Sequence, residues 1–68
     1  MNDYILYQNL DELPMEDFIL KMARLFQNKR RYWPKECLVN PKLGLEKDIS
    51  RIKMIPDKMT LPGEIMLK

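Results

Sequence analysis

A small α+β domain is the fold class this sequence predicts. Three observations predict it: one long apolar stripe at helical spacing, short β-rich stretches on either side of it, and proline or glycine punctuation between them. With 46% hydrophobic and 32% charged residues, two glycines and five prolines, the composition is that of an ordered globular chain. At 68 residues there is room for one core, so a single domain is expected over 1–68. Neither usual staple for a thin core exists within one chain, because Cys37 is the only cysteine and histidine is absent. Stability then falls to the apolar core or to a partner, which makes self-association a reasonable expectation.

The elements follow in chain order. Tyr4-Ile5-Leu6-Tyr7-Gln8 suits a pleated surface and reads as a strand over 4–8, with a short helix as the alternative. A helix is expected over 14–29, where Met15, Phe18, Ile19, Met22, Leu25 and Phe26 form one stripe of period 3.6 and Leu20 and Ala23 fall off it. Pro14 fits its first turn. Glu16 and Asp17 begin it while Lys29, Arg30 and Arg31 end it, matching the helix dipole, and Asp17 and Lys21 stand as an i,i+4 pair. Trp33-Pro34 forces extended backbone, and a short strand is expected over 37–39, closed by the Asn40-Pro41 turn signal.

Leu45, Ile49, Ile52 and Ile55 recur at helical spacing between charges, predicting a second helix over 45–54. The competing reading makes 51–55 a strand, since Ile52 and Met54 alternate with cations; Pro56 ends either version. Leu61-Pro62-Gly63-Glu64 has the residues of a type II turn, and a terminal strand is expected over 64–67.

Charge is segregated along the chain although the net value is only +2. Residues 1–20 hold Asp3, Asp11, Glu12, Glu16 and Asp17 with no cation; residues 21–42 hold seven cations against Glu36 alone. Such a split means either internal pairing or a basic surface for an anionic partner. The apolar runs are far shorter than the roughly 20 residues a bilayer requires, and the acidic start is unlike a secretory signal. No membrane association is expected, and a reducing cytoplasmic location is the default for one unpaired thiol.

Conventional catalysis lacks its inventory. Histidine is missing, and Cys37, Ser50 and Thr60 stand in no activating motif. The glycines cannot build a phosphate loop, and Glu46 and Asp48 are too close in sequence to face each other on a helix. No catalytic residue, metal, cofactor or small-molecule substrate is inferred. The candidate binding surface is the cluster Lys29, Arg30, Arg31, Tyr32, Trp33 and Lys35, whose cations suit phosphates and whose rings suit unstacked bases. Its plain structural alternative is cations completing a helix C-terminus and a tryptophan filling the core. The methionines and Cys37 read as core filling.

Two functions compete. The first is a non-enzymatic protein-interaction or regulatory module, self-associating or docking through its helix or a terminal strand; a subunit of a larger complex is its variant. The second is a small nucleic-acid-binding protein using 29–35, although two prolines and a long connection exclude a helix-turn-helix.

Overall fold

The computed structural model describes residues 3–68. Strand β1 spans Ile5–Gln8, helix α1 Met15–Arg30, β2 Glu36–Val39, β3 Lys53–Pro56 and β4 Glu64–Leu67, with one 3-10 turn at Pro41–Leu43. The four strands form one sheet in the order β1-β4-β2-β3, so the α+β expectation holds. β4 runs antiparallel to both β1 and β2, while β2 and β3 are parallel. β1, β2 and β3 therefore all start at the end of the sheet where β4 finishes, and α1 returns the chain to that end.

The helix lies across one face. Phe18, Ile19, Ala23 and Phe26 meet Cys37 and Val39 of β2, Ile52 and Met54 at β3, and Ile65 and Leu67 of β4, all buried. Strand alternation follows: in β2 and β4 every second residue enters the core and its neighbours do not. Ala23 is fully buried whereas Leu25 is 49% exposed, which corrects the stripe by one position. A small side chain at 23 lets the helix approach the sheet closely, and the larger leucine turns out to the flank.

Two helix details also differ from expectation. Pro14 is the N-cap, with extended backbone, and the helix closes on Arg31 in the left-handed conformation (φ 69°), whose N–H donates to the Gln27 carbonyl. Lys21 pairs with Asp11 in the preceding loop at 3.9 Å, both side chains well exposed, rather than with Asp17.

The expected helix over 45–54 is not formed. After the 3-10 turn, which Gly44 closes with φ 66°, residues 45–48 cross the flank of the core without regular structure. Ile49 and Ile52 then exchange both backbone hydrogen bonds (3.0 and 2.8 Å), and β3 begins. The strand alternative was the correct one. Parallel pairing with β2 satisfies the backbone of 53–56 and buries Ile52 and Met54, a non-local gain that helical periodicity does not reveal. Leu45 and Ile49 account for the false stripe: they are half-buried on the core because the connection from β2 to β3 must recross the molecule.

At the last turn, Glu64 N–H donates to the Leu61 carbonyl at 3.0 Å. The turn is not type II, because among the glycines only Gly44 has positive φ. Thr60, buried beside it, donates from Oγ1 to Asp57 Oδ2 at 2.7 Å, and Asn40 Nδ2 donates to the Thr60 carbonyl at 2.9 Å. Among the described residues, no helix is long and apolar enough to cross a membrane.

Candidate functional site

The end of the sheet where α1 finishes collects cations from four separate segments. Lys29, Arg30 and Arg31 come from the helix terminus, Lys35 from the approach to β2, Arg51 and Lys53 from the start of β3, and Lys68 from the end of β4. Backbone hydrogen bonds knit three of these segments together: Lys35 N–H donates to the Lys68 carbonyl at 2.8 Å and Lys53 N–H to the Lys35 carbonyl at 2.9 Å. Asp11, Glu12, Glu16 and Asp17 sit at the other end, with the loop and first turn of α1. Among the described residues the one ion pair, Lys21–Asp11, joins the acidic and basic segments, and the cations from Lys29 to Lys35 take no part in it. Arg51, Lys53 and Lys68 were beyond sequence reasoning, because only the sheet order brings them beside residues 29–35.

The two aromatic residues of the cluster separate. Tyr32 is 42% exposed, packs edge-on against Phe26 (centroids 5.3 Å apart), and lines an opening of about 280 Å³ with Lys35, Glu36 and Lys68. Trp33 is half-buried against the core and donates from Nε1 to the Ser50 carbonyl at 2.9 Å. It lines a different cleft, of about 550 Å³, with Gln27, Ser50 and Arg51. The helix-end cations Lys29, Arg30 and Arg31 are all exposed.

The second feature is the face of the sheet that α1 does not cover. Register and alternation arrange it in three rows. Leu6, Met66, Leu38 and Ile55 lie side by side across all four strands. On one side of them run Tyr4, Lys68, Glu36 and Lys53, and on the other Gln8, Glu64, Asn40 and Asp57. In the first flanking row the Tyr4 hydroxyl donates to Glu36 Oε1 at 2.7 Å and Lys68 Nζ sits 5.5 Å from the Tyr4 ring centroid. That hydrogen bond, with burial and the carboxylates of Glu36 and Asp57, holds the Tyr4 phenol above its ordinary pKa. Beyond the other flanking row, Leu10 and Leu61 are 82% and 62% exposed and share an opening with Gln8 and Glu64. A sequence signal for this face existed in the alternating Leu6, Leu38 and Met66, but which face α1 would cover was not legible.

Cys37 is fully buried in the core, and burial pushes its thiol up to about 12, so it offers no nucleophile at neutral pH. Comparison with known proteins finds no matching family model, no matching curated protein and no matching solved structure. The functional reading therefore rests on the chain's own geometry.

Proposed function

We propose that the chain is a non-enzymatic protein-interaction module that docks through the uncovered face of its sheet, and that its occupant there is a second copy. One observation carries the reading: an apolar row flanked on one side by Lys68 and Lys53, with Glu36 between them, and on the other by Glu64 and Asp57, so that the flanks have opposite net charge. A two-fold axis running along the Leu6–Met66–Leu38–Ile55 row leaves each strand column in place and exchanges the flanks. Lys68 then faces the partner's Glu64, Lys53 the partner's Asp57, Glu36 an Asn40 and Tyr4 a Gln8. Such an isologous contact is self-complementary, and it stacks two sheets in the aligned manner of a β-sandwich. The same rotation carries the exposed Leu10 and Leu61 of one copy towards the opening at the other's Tyr32.

Four strands each about 4.8 Å wide and three rows each about 7 Å deep give a face of roughly 19 by 21 Å. That is well below the roughly 800 Å² per partner of a standard interface, so the pair belongs to the weak, transient class. Sedimentation equilibrium from micromolar to millimolar protein tests it. Leu38→Lys abolishes association while far-ultraviolet dichroism stays native, because the Leu38 side chain faces away from the core. Lys68→Glu weakens association and adding Glu64→Lys restores it, since the swap rebuilds the facing pair. A monomer at millimolar concentration, or a folded double variant that fails to recover, overturns the proposal.

A further inference from the structure

We infer that the cleft between the end of α1 and the turn before β3 binds single-stranded nucleic acid, taking one unstacked base beside Trp33 and phosphates on the arginines around it. This site is separate from the sheet face and does not depend on the dimer.

One wall of the cleft is held in a costly conformation. Ser50 (φ 48°) and Arg51 (φ 67°) form the two central residues of a two-residue hairpin between Ile49 and Ile52, with the left-handed dihedrals of a type I′ turn. That turn favours Asn-Gly, and neither residue is present. At the helix end next to the cleft, Arg31 is also left-handed, as a helix C-cap, with its N–H on the Gln27 carbonyl. Strained residues of this kind persist where their geometry is used. Here the consequence of the hairpin is specific: it projects Arg51 into the cleft and presents the Ser50 carbonyl to Trp33 Nε1 at 2.9 Å, which fixes the indole in the cleft wall.

The remaining groups suit a nucleotide. Arg24 and Gln27 lie three apart on one helix face, so a cation stands one turn back from an amide able to read a base edge, and Arg31 adds a second cation at the helix C-cap. No carboxylate lies within 4 Å of Arg24, Arg31 or Arg51 among the described residues, so these charges are available to a polyanion. An acidic peptide would use the cations but has no need of an indole held beside an amide. A single strand fits better than a duplex, because an indole set in a cleft wall can stack only on a base that is free of its own stack.

The test uses the chain's only tryptophan as reporter. Trp33 emission is followed while a short oligothymidylate is titrated at about 50 and about 200 mM salt, alongside the matching duplex, heparin and polyglutamate. The expected result is quenching by the single strand, with an affinity that falls with salt at a log–log slope of about −2 for three arginine–phosphate contacts. Arg51→Gly, which the type I′ dihedrals favour and which therefore keeps the fold, weakens binding about tenfold and makes the slope shallower by about 0.7. Leu38→Lys leaves it unchanged. Absence of quenching, a quench indifferent to salt and to Arg51→Gly, or equal binding of duplex, heparin or polyglutamate overturns the inference.

Discussion

Replacing Ser50-Arg51 by Asn-Gly raises the stability of the whole domain. Both residues sit at positive φ, 48° and 67°, in a two-residue turn whose closing hydrogen bonds between Ile49 and Ile52 are already made. An L-residue in the left-handed region costs roughly 1–2 kcal/mol, and glycine escapes that cost because it has no Cβ to meet the following carbonyl. Glycine also loses more backbone entropy on folding, by about 0.5–1 kcal/mol, which leaves roughly 0.5–1 kcal/mol of gain at 51. Asparagine tolerates the same region better than serine and adds a few tenths of a kcal/mol. The Ser50 carbonyl that receives Trp33 Nε1 is backbone and survives both changes. The sum, about 1 kcal/mol, corresponds to a rise in Tm of about 4–8 °C for a domain this size. Thermal melts followed by circular dichroism and by Trp33 emission measure it, with Arg51→Val as the opposing control, since a β-branched residue at positive φ lowers Tm. An unchanged or lowered Tm for the Asn-Gly variant would show that the turn carries no strain. Weaker oligothymidylate binding by the same variant alongside a higher Tm would show that Arg51 serves the nucleic acid at a cost to folding.

Cys37 gives a pH prediction. Its thiol is raised from 9.0 to about 12 by burial, so the unfolded chain releases the proton first. The stabilising contribution is complete below pH 9 and is lost as pH climbs towards 12; the tyrosines Tyr4 and Tyr7, also raised, act in the same direction above 10. Denaturant melts at stepped alkaline pH show the decline, Cys37→Ala makes it shallower, and a thiol reagent at pH 8 leaves the native protein unmodified while labelling it in denaturant. Phe26→Ala removes a ring that is fully buried and props Tyr32, costing about 3–5 kcal/mol. That approaches the whole stability of so small a domain, and a chain still cooperatively folded at 25 °C would contradict the assigned core.

Most elements were legible because their signals are local. The stripe from Met15 to Phe26, the β-rich stretch at 4–8, the Trp33-Pro34 break and the terminal 64–67 segment each encode their own backbone, and the observed boundaries lie within a residue or so of the expected ones. Leu45, Ile49, Ile52 and Ile55 were misleading because two periodicities fit them, and the choice lay in a partner strand distant in sequence. Of the candidate cluster, the sequence supplied the residues but not their grouping: Tyr32 and Trp33 are adjacent in the chain yet line different openings.

The sequence alone determined an ordered, single-cored α+β chain with opposite charge at the start and middle, since composition and short-range spacing specify these. Only the tertiary structure decided that β4 inserts between β1 and β2, that the basic end gathers Arg51, Lys53 and Lys68, and that an apolar row stays uncovered on the far side of the sheet. Those outcomes arise from strand order and from the one helix available to cover one face, and both depend on pairings between residues far apart in the chain.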